Sequence, residues 1–359
     1  MTGSRYPEGL ALLADRFNTL RYEEGRVVLL DRRQYPFRTE FVTCRTVEEV
    51  ARAIEEMVVQ GGPPLAYAAG LGMVLALESA RTLPTGQQRE RLRDAAQRLL
   101  RTRPTADDLF QVVPTAQAVG EAALARGEDA AQAVLAYVND QIRRGNQVAE
   151  ACGRYAADLV RDGEHILTHC IPGAALCWML YVAVHEQGKR VELWPSETRP
   201  YLQGARLTAA CGLETGIPVT LLTDAMAAHA MAQGKITMYV TAADRIAMDG
   251  HIANKVGTLE HAIAAHYFRI PYYVLGYDGP DPSTRTGADM VIEERDPREV
   301  LYCRGAEGTV RTAVQGAGAY YPAFDVTPPG LIEAIVTDKG VFPPRLIGRY
   351  WDESRESGR

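Results

Sequence analysis

The stretch 165-HILTHCIPGAALCWMLYVAVHEQG-188 decides the fold. Its first five residues, 165-HILTH, read as a short strand. Pro172 and Gly173 then break the chain before an apolar run long enough for a buried helix. A strand that turns through glycine into a helix is the first half of a βα unit, and the same rhythm continues downstream. Strands are expected at 190-RVELWP, 218-PVTLLT, 236-ITMYVTAA and 271-PYYVLG. Helices are expected at 202-LQGARLTAACGLETG, 224-DAMAAHAMAQG and 256-VGTLEHAIAAHYFR. Such alternation predicts a parallel sheet covered by helices. Right-handed crossovers then bring every strand's C-terminal end to one edge, where ligands of such sheets bind. The tail after 281-DPSTRTGADMVIEERDP shows no regular period and is expected to pack back irregularly.

Upstream the period is helical. A short β-containing start (26-RVVLLDRR) precedes 46-TVEEVARAIEEMVVQ, whose Thr46 and Glu49 form a capping box. Gly61-Gly62-Pro63-Pro64 reads as the stop of that helix. The segments 65-LAYAAGLGMVLALESA, 86-GQQRERLRDAAQRLLR, 105-TADDLFQVVPTAQAVGEAALA, 128-EDAAQAVLAYVNDQIRR and 146-NQVAEACGRYAADLV each repeat apolar residues at three-to-four spacing. A chain of 359 residues is too long for one small core. The sequence therefore divides into a mainly helical domain over 1–160 and an α/β domain over 161–359 that carries most of the active site.

Bulk composition narrows the function. Hydrophobic residues make up 47% and charged residues 23%, an ordinary soluble composition. Net charge is −6 and the isoelectric point is about 5.7, which gives no reason to expect a nucleic-acid or membrane partner. No signal peptide or membrane span is read at the N-terminus. Six dispersed cysteines without a CxxC pair speak against a disulfide framework and for a reducing cytoplasm.

Candidate chemistry collects at the strand-to-helix junctions. Cys170 follows a strand and precedes a helix, where backbone N–H groups and the helix field favour a thiolate. The alternative is a buried structural cysteine. Asp244 ends 236-ITMYVTAA, a good position for proton transfer, or else caps the next helix or pairs with Arg245. Asn254 and Lys255 precede another helix and can donate to a hydroxyl or phosphate. Gln203 starts a helix at the same edge. No GxGxxG follows the first strand, no GxxxxGK[ST] is present, and no metal-ligand spacing is found.

With those residues in place, the chain resembles methylthioribose-1-phosphate isomerase, a relative of the regulatory α, β and δ subunits of translation initiation factor 2B. Matching segments include 46-TVEEVARAIEEMVVQGGP, 102-TRPTADDLF, 168-THC, 197-ETRPYLQGARLTA, 217-IPVTLLTD, 242-AADRIAMDGHIANKVGT, 292-IEERDP and 322-PAFDVTP. The resemblance implies a Rossmann-like C-terminal domain, a homodimer, a phosphorylated sugar as substrate, a place in methionine salvage, and no cofactor. It places the catalytic cysteine and aspartate at Cys170 and Asp244. Substrate binding falls to Gln60, Gly61, Gly62, Arg103, Gln203, Asn254 and Lys255.

Several motif positions depart from the family. Gln60 stands where Arg is usual, Ile171 and Ala225 where Asn is usual, Ser196 where Asp is usual and Pro64 where Ala is common. Together they remove one cation and two amides. Two alternatives therefore stay open. One is a paralogue acting on 5-deoxyribose 1-phosphate, a 5-halo analogue or ribose 1,5-bisphosphate. The other is a non-catalytic ligand-binding protein like the initiation-factor subunits.

Overall fold

The computed structural model describes residues 7–103 and 107–352. It divides into two compact units. One is Asp15–Gln147, and the other joins the described residues up to Ala14 to those from Val148 onward. The change of rhythm expected at 160/161 thus lies beyond the division, which falls inside one long helix.

The helical unit begins with an antiparallel sheet of β1 (Leu20–Glu23), β2 (Arg26–Leu30) and β3 (Phe41–Cys44), in that order. Helix α1 (Val47–Glu55) starts at the expected capping box, with Thr46 accepting from the Glu49 N–H. It stops before the Gly-Gly-Pro-Pro turn, at Glu56 and the positive-φ Met57. Gly61, at φ 89°, instead opens α2 (Gly62–Ser79), and Pro63 sits in its first turn. Proline costs little there because the first-turn N–H groups have no intrahelical acceptor. Helix α2 is apolar on all sides and buried from Pro64 to Leu77, as a helix without a polar face must be. Around it pack α3 (Thr85–Leu100) and α4 (Asp107–Arg126). The two helices expected over 128–160 are a single one, α5 (Ala130–Leu159). Gly145 within it costs only about 1 kcal/mol relative to alanine, too little to break a long packed helix.

The second unit follows the alternation. Strand β4 (Glu164–Thr168) leads to α6 (Ala174–Tyr181), which ends in a π turn over Val182–Glu186. Next come β5 (Val191–Pro195), α7 (Ala209–Glu214), α8 (Ala227–Ala232) and β6 (Met238–Ala242). The segment 218-PVTLLT makes only isolated parallel bridges, Leu193 with Val219 and Ser196 with Leu222. After β6 the chain forms no immediate helix. It forms a hairpin of β7 (Arg245–Ile246) and β8 (Ile252–Lys255) before α9 (Thr258–Tyr267) and β9 (Tyr272–Tyr277).

The tail is more regular than its sequence suggests. It contains α10 (Arg298–Leu301), a hairpin of β10 (Tyr302–Gly305) and β11 (Gly308–Arg311), then β12 (Phe324–Thr327), β13 (Ala334–Thr337) and β14 (Gly340–Phe342). β12 joins β8 and β7 in a three-stranded antiparallel sheet. β13, four buried residues, adds a parallel strand beside β9.

The main sheet has six strands in the order β14-β13-β9-β6-β4-β5. All neighbours are parallel except β13 with β14. The chain runs outward from β4 to β5, then returns to the other side of β4 as β6. The order therefore reverses between β4 and β6, and such a reversal leaves a crevice beyond the carboxyl ends of the two strands.

Candidate active site

Two of the sequence-predicted residues flank that crevice. Cys170 lies two residues beyond β4, and Asp244 two residues beyond β6. Thr168, the last residue of β4, pairs with Val240, so β6 runs two residues farther before it ends. The β7–β8 hairpin adds the next pair. Arg245 is in register with Ala253, and the Asp244 N–H donates to the Ala253 carbonyl at 2.9 Å. This pairing sets Asn254 and Lys255 at the same end of the hairpin as Asp244. It also removes the helix-capping alternative for Asp244, since a strand follows it.

Cys170 adopts φ 61°, a left-handed conformation that costs a non-glycine residue roughly 1–2 kcal/mol. Its N–H donates to Thr198 Oγ1 at 2.9 Å, and its carbonyl accepts from Thr208 Oγ1 at 2.5 Å. Burial pushes the thiol up to about 12. The Asp244 carboxylate adds to this and the Lys255 ammonium partly offsets it. The thiolate expected from the helix field is therefore not favoured, because desolvation outweighs the dipole. The field is also occupied: the Tyr277 hydroxyl accepts from the Ala175 N–H at 3.1 Å and donates to the Pro172 carbonyl at 2.5 Å. Tyr277 thus takes up one N–H at the start of α6.

Lys255 is 5% exposed. One N–H of its ammonium donates to Tyr321 Oη at 2.5 Å, and the ammonium sits 4.3 Å from that ring's centroid. Burial pulls its pKa down, with the nearby Cys170 opposing the shift. No other hydrogen-bond partner is found for it among the described residues, so a buried cation keeps two donors unspent. Asn254 Nδ2 donates to Thr258 Oγ1 at 2.9 Å. Gln203 Oε1 is a buried acceptor without a partner among the described residues. Buried polar groups are rarely left so, and ligand hydroxyls would satisfy both Gln203 and Lys255.

Other residues hold this edge in place. His169 is buried, with Nδ1 2.6 Å from Ser196 Oγ and Nε2 2.9 Å from the Val256 carbonyl. A carbonyl can only accept, so Nε2 carries the proton and Ser196 donates to Nδ1. Burial, then the neighbouring His261, lowers its pKa to about 3, so the ring is neutral. Asp325 on β12 accepts from the N–H groups of Gly257 and Leu259 at 2.7 and 3.1 Å and so caps α9. Burial raises it to about 6 against those two bonds. Tyr321, Asp325 and Tyr277 were not singled out in the sequence. A signal existed for Asp325, inside the matching segment 322-PAFDVTP.

Gln60, Gly61, Gly62 and Arg103 belong to the helical unit. Gln60 is buried; its Nε2 donates to the Met57 carbonyl at 3.1 Å and its backbone carbonyl accepts from the Arg32 guanidinium at 2.7 Å. Arg103 is half-buried, and residues 104–106 of its motif lie outside the described residues. Among the described residues no three His, Cys, Asp or Glu side chains converge as metal ligands, and no helix is long and apolar enough to cross a membrane.

The model of the initiation factor 2 subunit family matches residues 58–344. A methylthioribose-1-phosphate isomerase from Roseiflexus castenholzii is 39% identical over 345 residues, covering 92% of this chain and 96% of that protein. The crystal structure of 5-methylthioribose 1-phosphate isomerase from Pyrococcus horikoshii OT3 superposes with a TM-score of 0.83 at 32% identity, covering 99% of both chains. That of the translation initiation factor eIF-2B, subunit delta, from A. fulgidus gives 0.79 at 32% identity, covering 91% of this chain and 96% of that one. The chain belongs to the initiation factor 2 subunit family and, by the identity and coverage of these relatives, to the methylthioribose-1-phosphate isomerase family within it.

Proposed function

We propose that the chain is an aldose–ketose isomerase that converts a 5-substituted ribose 1-phosphate, first of all 5-methylthioribose 1-phosphate, to the corresponding ribulose 1-phosphate. The observation that carries this is the position of Cys170 and Asp244 at the ends of the two strands where the sheet order reverses.

The chemistry needs both groups. Phosphate on the anomeric oxygen prevents spontaneous ring opening, so the enzyme must help break the bond between C1 and the ring oxygen. Asp244 delivers the proton that the ring oxygen takes up. A hydrogen then moves from C2 to C1 while the 2-hydroxyl returns a proton to the Asp244 carboxylate left by the first step, leaving the ketone at C2. Cys170, a neutral thiol in the ligand-free site, assists this movement by stabilising its transition state. Lys255 with its two unspent N–H bonds, Asn254 and Gln203 hold substrate oxygens. The phosphate role of Gln60, Gly61, Gly62 and Arg103 rests on the resemblance alone.

One observation favours a second substrate within the same class. Gln60 turns its carboxamide back onto the Met57 carbonyl and offers no cation where the family usually has one, which fits a different sugar phosphate. A non-catalytic binding protein is disfavoured by the retained cysteine and aspartate. A panel of 5-methylthioribose 1-phosphate, 5-deoxyribose 1-phosphate and ribose 1,5-bisphosphate separates these alternatives. Tight binding without turnover of any would sink the isomerase.

A cytoplasmic homodimer completes the proposal. None of its six cysteines is in a disulfide, as a reducing compartment would keep them. Met226, Ile263 and Tyr267 leave an apolar face exposed on α9 and beside α8. A solution mass of one 39.4 kDa chain would contradict the dimer.

A further inference from the structure

The loop that meets Cys170 carries an unusual concentration of strained backbone. Thr198 has φ 64° and Leu202 φ 60°, and Cys170 itself is left-handed. A β-branched residue such as Thr198 almost never takes this conformation unless its surroundings impose it. Here they do. Asp224 accepts from the Thr198 N–H through Oδ1 at 2.8 Å and from the Arg199 N–H through Oδ2 at 2.7 Å. The Thr198 hydroxyl donates to the Ser196 carbonyl at 3.2 Å, which leaves its lone pairs for the Cys170 N–H at 2.9 Å. Thr198 is fully buried, so a broken bond there cannot be replaced by water. Asp224 is itself anchored, because its carbonyl lies 3.0 Å from Nε2 of the buried His261. The loop therefore runs as a chain of bonds from α9 through Asp224 to Thr198 and on to the cysteine.

We propose that Thr198 and Asp224 are positioning residues that hold Cys170 in its left-handed conformation and so aim its sulfur at the substrate. Neither touches the reacting atoms. The assignment deepens the isomerase activity proposed above and rests on it for its kinetic consequence. The geometric consequence stands independently: without the relay, the cysteine relaxes and its sulfur becomes more reachable from solvent.

Three variants test this in the full chain. Thr198→Val keeps shape and removes the acceptor, Thr198→Ser keeps the acceptor, and Asp224→Asn weakens the upstream clamp. Two readouts are taken: kcat and KM on 5-methylthioribose 1-phosphate, and the iodoacetamide alkylation rate of the Cys170 peptide, resolved by mass spectrometry. Thr198→Val should lower kcat about tenfold or more with KM within about threefold, since only alignment is lost. It should raise the alkylation rate by roughly fivefold or more on the same grounds. Asp224→Asn should move both in the same direction by less, and Thr198→Ser should match wild type. Wild-type kcat and alkylation in Thr198→Val would overturn the proposal, as would equal damage from Thr198→Ser. If Thr198→Val fails to fold, Asp224→Asn against Thr198→Ser decides by the same two readouts. If the wild-type chain turns over no sugar phosphate, the isomerase falls while the alkylation rates still decide the positioning role.

Discussion

Consider Lys255→Met, which keeps the stem and deletes the charge. The ammonium is almost wholly buried, and burial pulls its pKa below the usual 10.5. The sign follows from that direction. A base whose folded pKa is depressed destabilises the fold at neutral pH, and the penalty disappears only as pH rises toward its unfolded value. Removing the charge returns this cost, while losing the bond to Tyr321 Oη takes away about 1 kcal/mol. The two nearly cancel, so thermal stability at pH 7 should be unchanged or slightly higher, as when other buried ions are replaced by apolar groups. Function should behave oppositely. Two charge-assisted bonds to substrate oxygens in a desolvated site are worth roughly 2–5 kcal/mol together, on the order of 30- to 5,000-fold in kcat/KM. The assay is ketose formation over a range of substrate concentrations, paired with a melting curve. A variant that melts many degrees lower yet keeps kcat/KM within about fivefold would show that Lys255 holds the fold and not the substrate.

Three further outcomes follow from the geometry. Gly204→Ala should lower the melting temperature and abolish turnover, because its Cβ would come 1.7 Å from the Ser196 carbonyl oxygen and force backbone apart at a cost of about 1–3 kcal/mol or more; a normal melt would refute the close approach. Asp325 has a raised pKa of about 6, so its contribution to stability is present below pH 4 and lost as pH rises through 6. The stability of Asp325→Asn relative to wild type should therefore improve by up to about 3 kcal/mol between pH 4 and pH 8, and a constant difference would refute the shift. His169, with a pKa near 3, should show no imidazole titration between pH 5 and 8 by nitrogen NMR and should keep the Nε2–H tautomer throughout.

The parallel sheet was legible because β4, β5, β6 and β9 are each set off by helical runs, and period 2 against 3.6 separates them cleanly. β13 was not, since three apolar residues and a threonine in an aperiodic tail carry no distinguishing pattern. The hairpin after Asp244 was hidden as well: 245-RIAMDGHIANK contains a two-residue strand, too short to mark a period. Cys170 and Asp244 could be picked out by their positions at strand ends. The protonation state of Cys170 could not, because it depends on how deeply the sulfur lies and on which charges face it across the chain. Tyr277 closing the start of α6 and Tyr321 beneath Lys255 are likewise contacts made over long sequence separations. Glycine and proline mark helix ends and beginnings alike, so the Gly-Gly-Pro-Pro turn reads as a stop in the sequence and opens α2 in the structure.

The most direct measurement is a crystal structure of the chain with 5-methylthioribulose 1-phosphate bound. The Cys170 sulfur and the Asp244 carboxyl should flank the C1–C2 bond at the ends of β4 and β6, with the Lys255 ammonium against a ligand oxygen. A ligand seated away from that edge, or a sulfur and carboxyl on unrelated faces of the molecule, would contradict it.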